Sequence, residues 1–329
     1  MRAPGFWHRE AGLLSAVLAP LGALYADATR RRLARGPRER VGIPVICVGN
    51  LNVGGTGKTP TVIALAQHMA ARGIAAHAVT RGHGGSLTGP VQVDERRHTA
   101  DQTGDEALLI AAFLPTWVAR DRAAGARAAV AAGAGAILLD DGFQNGALAH
   151  DLSLVVVDAH IGFGNGRVMP AGPLREPVTT GLARADLVLS IGEDAAQDRF
   201  AARWGGAITA PRLTGRLHAL PTGLPLKNLP VLAFAGIGHP DKFFRTLRDL
   251  GADIRATHAL SDHQPLGDAL MTRMLREARA LGAQVVTTEK DAVRLPPALR
   301  AQVMTVPVRL QMEDWAPVDA ALDRLWGAG

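Results

Sequence analysis

Asn50-Leu51-Asn52-Val53-Gly54-Gly55-Thr56-Gly57-Lys58-Thr59-Pro60 stands between two apolar segments of different character. Ahead of it, Ile43-Pro44-Val45-Ile46-Cys47-Val48 is a largely β-branched run that reads as a buried strand. Behind it, Thr61-Val62-Ile63-Ala64-Leu65-Ala66-Gln67-His68-Met69 reads as a helix closed by Gly73. Strand, glycine-rich loop, Gly-Lys-Thr and helix follow in the order of a phosphate-binding loop. In such a loop, backbone N–H groups and the helix N-terminus face phosphate oxygens, and glycine lets the chain approach closely. Residues Asn52, Val53, Gly54, Gly55, Thr56, Gly57 and Lys58 would wrap a nucleotide phosphate. Lys58 would reach the β- and γ-phosphates, and Thr59 would offer its hydroxyl to Mg²⁺. Pro60 suits a first helical turn, where no N–H donor is needed. One position departs from the pattern: a glycine is usual five residues before Gly57, and Asn52 stands there.

The 329 residues suffice for one large or two ordinary α/β domains. With 47% hydrophobic and 20% charged residues the chain is globular, and 4% aromatics leaves its cores to Ala, Val and Leu. The formal charge of +6 favours anionic partners. No platform of interleaved aromatic and basic residues is present, so nucleic acid is not expected among them. Cys47 is the one cysteine. It excludes an internal disulfide and a cysteine-based metal cluster, and it reads as a buried, inert thiol.

The amino-terminal segment is unlike the rest. Residues 11–25 are mostly apolar, with Leu14, Val17, Leu18, Leu21, Leu24 and Tyr25 at helical spacings, and Trp7 just ahead. Arg30, Arg31, Arg32, Arg35, Arg38 and Arg40 follow. The run is shorter than the about 20 residues a bilayer crossing needs, and Pro20 interrupts it. Ala26-Asp27-Ala28 imitates a signal-peptide cleavage site, but the arginines lie on the side that would have to cross. A helix in the membrane interface, its arginines near anionic headgroups, is the preferred reading; the alternative is a helix packed on the protein itself.

Farther along, Ala75-Ala76-His77-Ala78-Val79-Thr80 reads as a strand ending in the glycine-rich loop Arg81-Gly82-His83-Gly84-Gly85. Thr103-Gly104-Asp105-Glu106 precedes an apolar helix, and Thr103 with Glu106 fits a capping box, which alone would explain both acids. Ala136-Ile137-Leu138-Leu139 runs into Asp140-Asp141-Gly142-Phe143-Gln144, paired carboxylates at a strand tip in the manner of a Walker B element; two acids could also simply start a turn. Residues 152–158 and 186–190 read as two more core strands around a Gly/Pro-rich segment containing Gly172-Pro173-Leu174-Arg175-Glu176-Pro177. From Pro230 a second βαβ alternation begins, with strands at 231–235, 252–258, 284–288 and 303–308. Gly236-Ile237-Gly238 lacks the third glycine of a dinucleotide fingerprint. Asp262-His263 lies in a polar loop, where such a histidine is ordinarily a solvated turn residue. Thr288-Glu289-Lys290-Asp291 fails a guanine-specificity motif on residue order.

Taken together, these segments resemble the tetraacyldisaccharide 4′-kinase family of lipid A biosynthesis. The carriers are Gly49-Asn50-Leu51 with Val53 to Pro60, Arg81-Gly82, Gly104-Asp105-Glu106-Ala107, Asp140-Asp141-Gly142-Phe143-Gln144, Gly172-Pro173-Leu174-Arg175-Glu176-Pro177, Asp262-His263 and Thr288-Glu289-Lys290-Asp291-Ala292-Val293. His83, where tyrosine is common, and Gln264, where a second histidine often stands, depart from the family pattern. The resemblance implies transfer of the ATP γ-phosphoryl group to the 4′-hydroxyl of a tetraacylated glucosamine disaccharide 1-phosphate. It implies Asp105 as general base paired with His263, Asp140 and Asp141 on Mg²⁺ with Thr59, Glu176 near the metal and Arg175 near phosphate. It also implies a monomer working at the cytoplasmic face of the inner membrane. Two other classes remain open on the residues alone: a nucleotide switch, although it usually carries an extra lysine early in the loop, and a kinase or ligase for a non-lipid small molecule.

The expected fold is α/β: two α/β/α units with mainly parallel sheets, the first like a P-loop NTPase. Expected boundaries are 1–40 for the interfacial helix and basic segment, 41–212 for the kinase unit, 213–230 for a linker, 231–312 for the second unit and 313–329 for a terminal helix.

Overall fold

The computed structural model describes residues 4–35, 38–220, 223, 225–261 and 264–327. The stretch around the glycine loop decides the architecture. Strand β1 (Val45–Gly49) is buried along its whole length, and the helix Lys58–Ala71 follows the loop directly. Around β1 grows a nine-stranded sheet built from β2 (Ala76–Thr80), β3 (Val91–Gln92), β4 (Thr116–Val118), β5 (Ala136–Asp140), β6 (Leu152–Asp158), β7 (Leu187–Ile191), β8 (Arg212–Ala219) and β13 (Val308–Met312). Its order is β13-β8-β7-β6-β1-β5-β2-β4-β3, parallel except for the antiparallel pairs β3/β4 and β13/β8 at the edges. The chain builds outward from β1 to β2, β3 and β4, returns to β5 on one flank of β1, then crosses to β6 on the other. That crossing makes the carboxyl end of β1 a topological switch point, where open α/β sheets bind ligands.

Apolar side chains cover both faces. On one, Ile46, Val48 and Leu138 meet Val62, Leu65 and Met69 of the loop helix. On the other, Val45, Cys47 and Leu139 meet alanines of the helix Arg122–Ala131 together with Phe143, Phe163 and Phe200. The buried strands therefore lack polar alternation, as the sequence of β1 suggests. Cys47 is fully buried, and burial, with the charge of Asp141 adding, pushes its thiol up to about 12.

The second sheet has four parallel strands in the order β10-β9-β11-β12: β9 (Pro230–Ala235), β10 (Asp253–Ala259), β11 (Gln284–Thr288) and β12 (Met304–Val306). The helix Pro240–Asp249 covers one face with Phe243, Phe244 and Leu247. The helix Asp268–Ala280 covers the other with Met271, Met274 and Ala278.

Two expected boundaries fall differently. Residues 213–219, expected as the start of a linker, belong to β8, which pairs with β7 and buries Leu213 in the first core. Residues 308–312, expected in the second unit, form β13 and return to the first sheet, with only Pro307 between β12 and β13. The terminal helix Ala316–Trp326 also packs on the first sheet, through Val318, Ala321 and Leu322.

The amino-terminal helix spans Leu13–Ala34 and contains Pro20, so the apolar run and the first arginines form one rod. Ala26-Asp27-Ala28 lies inside it, and Asp27 pairs with Arg30 and Arg31. Ser15, Gly22 and Thr29 form its buried edge. Ser15 Oγ donates to the Ala171 carbonyl at 2.7 Å, and a Cβ at Gly22 would stand 2.7 Å from the Val168 oxygen. Leu13, Leu14, Val17, Leu21 and Leu24 are each more than half exposed on the remaining surface. One edge of this helix packs on the protein, as the alternative reading expects, and an apolar stripe does not. No helix among the described residues is long and apolar enough to cross a membrane.

Candidate active site

The loop after β1 is held from both sides. Asn50 Nδ2 donates to Thr56 Oγ1 at 3.1 Å and to the Gly54 carbonyl at 3.3 Å. Asn52, which replaces the customary glycine, is buried and donates Nδ2 to the Gly162 carbonyl at 3.0 Å. The Arg175-containing segment lies directly against the loop: Val53 N–H donates to the Pro173 carbonyl and Arg175 N–H to the Leu51 carbonyl, both at 2.8 Å. Two sequence motifs more than a hundred residues apart are therefore one structure. Gly57 starts the loop helix at φ 96°, a left-handed conformation, and a Cβ there would strike Ile191 Cδ1 at 2.6 Å. The backbone N–H groups from Gly55 to Lys58 have no acceptor among the described residues. Converging, unmatched donors at a helix N-terminus form an anion cradle.

Asp140 and Asp141 sit at the carboxyl end of β5, beside β1, and their environments drive them apart. Burial alone would raise Asp141. Lys58 at 3.6 Å, Arg175 at 2.8 and 3.2 Å, and nearby Arg122 outweigh that and hold it well below the usual carboxylate range. Its backbone is left-handed at φ 56°, and Arg122 donates to its carbonyl at 3.0 Å. Asp140 is pushed up to about 7, first by burial and then by the charge of Glu106, with Lys58 opposing. Thr80 Oγ1 donates to its Oδ2 at 3.2 Å, while its Oδ1 is buried with no partner among the described residues. A hard cation is the chemistry such an orphaned oxygen lacks. No group of three His, Cys, Asp or Glu among the described residues could hold a metal unaided. That suits Mg²⁺, which takes one or two carboxylates and completes its shell with water and substrate phosphate. Thr59, in the first turn of the loop helix and half-buried, is the hydroxyl at hand.

Glu176 does not present itself as a metal ligand. It is buried, with both oxygens held by Arg184 at 2.6 and 2.7 Å and Oε1 also accepting from Gln144 at 2.9 Å. A carboxylate so buried keeps its charge only with such partners, and here they fix the loop. Gln144 donates in addition to the Asn50 carbonyl at 2.9 Å. Arg175, expected on phosphate, is engaged with Asp141 and Gln144. Arg184 and Arg122 were not singled out by the sequence: neither sits in a motif, and their partners lie 8, 19 and 41 residues away, at no spacing that a helix or strand would bring together. Of the six buried side-chain atoms without a partner among the described residues, four surround this loop: Asn50 Oδ1, Arg122 Nε, Asp140 Oδ1 and Arg184 Nε.

Asp105 begins the helix Asp105–Ala111 and is buried, its Oδ1 accepting the Glu106 N–H at 2.9 Å. The capping box lies one turn earlier than expected. Thr99 and Gln102 form it, while Thr103 Oγ1 donates to the Thr99 carbonyl. The break comes at Gly104, where a φ of 85° and the 2.5 Å at which a Cβ would stand from the His83 oxygen exclude a side chain. Asp105 thus sits at a helix start fixed by a glycine rather than by its own cap. Asp262 and His263 lie outside the described residues.

A parallel sheet whose central strand enters a glycine loop with a buried lysine, beside an acid pair on the next strand, defines a P-loop nucleotide-binding protein. Within that class, the family model for LpxK, tetraacyldisaccharide-1-P 4′-kinase, matches residues 14–326. The tetraacyldisaccharide 4′-kinase of Jannaschia sp. (strain CCS1) is 71% identical over 327 residues, covering 99% of this chain and 100% of that one. That of Dinoroseobacter shibae is 66% identical over 330 residues, covering 99% and 98%. The chain belongs to the tetraacyldisaccharide 4′-kinase family. A crystal structure of LpxK from Aquifex aeolicus in complex with ATP shares the fold, with a TM-score of 0.77 at 24% identity over 95% of this chain and 99% of that one.

Proposed function

We propose that this chain transfers the γ-phosphoryl group of ATP to the 4′-hydroxyl of a tetraacylated glucosamine disaccharide 1-phosphate. The observation that carries this reading is the open amide cradle of residues 55–58 beside the split pair Asp140 and Asp141, in a chain of that family. The loop N–H groups and Lys58 bind the phosphate chain, with Arg175 as the second cation at its end. Asp140 and Asp141, with the Thr59 hydroxyl, would hold Mg²⁺, which when bound neutralises charge developing on the phosphate oxygens. Glu176 serves through Gln144 and Arg184, keeping the loop in place. Asp105 takes the proton of the acceptor hydroxyl, and His263 on the second unit is its partner. Phosphoryl transfer needs chiefly positioning and charge neutralisation, and the loop, Asp140 and Asp141 stand together at the carboxyl edge of one sheet.

The acceptor is a lipid, and the exposed stripe Leu13, Leu14, Val17, Leu21 and Leu24 supports a place in the membrane interface, with Arg30 to Arg32 toward anionic headgroups. The cytoplasmic face of the inner membrane, where ATP is available, is the site this reading assigns, with the chain divided into a loop-bearing unit and a second α/β unit that close around the substrates.

The test is a transfer assay with Mg-ATP and the disaccharide 1-phosphate in detergent micelles. A new monoester at the 4′ position is expected, with Asp105→Asn lowering turnover about a hundredfold while ATP still binds. Absence of transfer from a sample that binds ATP would overturn the assignment.

A further inference from the structure

We infer that Lys290 is a positioning residue for phosphoryl transfer, holding the Asp105 helix through Glu106; the inference rests on the reading of Asp105 as the base. The starting point is Thr288-Glu289-Lys290-Asp291, a motif whose four side chains point to different tasks. Thr288 caps the short helix Glu289–Ala292, and its Oγ1 donates to Asp291 Oδ2 at 2.7 Å. Asp291 is fully buried, takes the Gly236 N–H at 3.1 and 3.0 Å on its two oxygens, and pairs with Arg294. Those two residues anchor the short helix to its own sheet.

The other two reach outward. Glu289 accepts from Arg309 at 2.6 and 3.1 Å, and the Arg309 guanidinium lies 4.7 Å above the ring of Phe113, just beyond the Asp105 helix. Lys290 Nζ stands 3.1 Å from Glu106 Oε1. Val293 adds an apolar contact to the cluster containing Ala107 and Leu108. A charge pair and an apolar contact therefore fall on one helix of seven residues, and the cation–π contact on Phe113 two residues beyond its end.

Glu106 is also bound to Asp105 directly, since its N–H donates to the Asp105 carboxylate. Whatever fixes Glu106 fixes the position of that carboxylate oxygen. The Lys290–Glu106 pair is partly exposed on both sides, and such pairs contribute little to stability. Its value is geometric: it ties the second unit to the residue next to the base, so that docking of the two units sets the aim of Asp105. Small displacements of a reacting group weaken catalysis without weakening binding, because effective molarity depends on the attack geometry.

The experiment uses the full chain in the micelle assay, with turnover, KM for ATP and thermal unfolding measured for Lys290→Met, Lys290→Arg, Glu106→Gln and the double variant Lys290→Met/Glu106→Gln. Lys290→Met is expected to lower kcat about thirtyfold with KM for ATP and the melting temperature unchanged. Lys290→Arg should keep most of the activity, and the double variant should be no slower than the slower single one, the signature of a coupled pair. A kcat for Lys290→Met within about twofold of the parent, losses that multiply in the double variant, or a loss confined to melting temperature and KM would each overturn the inference. An inactive parent chain would instead remove the reading of Asp105 on which it stands.

Discussion

β1 and β9 each run into a glycine loop and then a helix, yet the two loops meet opposite partners. After β1, the N–H groups of residues 55–58 have no acceptor among the described residues. After β9, the Gly236 N–H is already taken by both oxygens of Asp291, a carboxylate supplied from the short helix that follows β11. The two loops approach one another, for a Cβ at Gly238 would lie 3.8 Å from the Gly55 nitrogen. The lesson is that backbone shape alone does not make a phosphate site. The first loop carries Lys58 and borders Asp141 and Arg175, whereas the second has its own buried anion where a ligand anion would sit.

The sharpest way to break this comparison is to remove the charge that sets the first loop apart. Lys58→Met fits the same buried space, and Asp141 retains Arg175. Phosphoryl transfer is expected to fall about ten-thousandfold in kcat/KM, on the order of 5 kcal/mol, because this cation faces the charge that develops on the transferring group. Circular dichroism should be unchanged. A variant with near-parental transfer would mean that the loop does not bind the phosphates through Lys58.

The complementary change removes the internal anion of the second loop. Asp291→Ala leaves Arg294 and the Gly236 N–H without their buried partner, at a penalty of about 4 kcal/mol in unfolding free energy. Urea denaturation should show it, with ATP affinity at the first loop little changed. If Asp291→Ala is as stable as the parent, that carboxylate is not what closes the second loop.

The contrast between the loops also marks what sequence can reveal. β1, its loop and the helix Lys58–Ala71 were legible because glycine spacing and a change of hydrophobic period are local signals. The acids of β5 were legible for the same reason, lying at the end of an unbroken apolar run. The pairing of β8 with β13 was not, since the strands are some ninety residues apart and Pro221, Pro225 and Pro230 read as a linker. Nor was the engagement of Glu176 by Arg184, because a long side chain finds its partner by tertiary packing rather than by spacing. Thr103 offered a plausible cap, but Thr99 with Gln102 forms it, and Gly104 decides where the next helix starts. His263 lies outside the described residues, so its pairing with Asp105 stays a proposal.

A smaller effect separates the surroundings of the two loops, and it is read by pH. In the second unit, His258 Nε2 lies 3.0 Å from Glu277. In the first, His150 Nε2 is buried without a partner among the described residues, and burial, followed by repulsion from Arg38 and Arg184, lowers the ring to about 4. An unfolded chain takes up that proton near the ordinary histidine value of 6.5, while the folded chain refuses it until about 4. Between those values the unfolded state binds more protons, so stability falls as pH falls, by about 3 kcal/mol once pH 4 is reached. His150→Gln should remove this part of the slope when urea unfolding is compared at pH 7, 5.5 and 4.5. Identical slopes in parent and variant would show that the folded chain does not hold His150 neutral. A flattened slope would show that the buried, uncharged ring of His150 carries this part of the acid sensitivity.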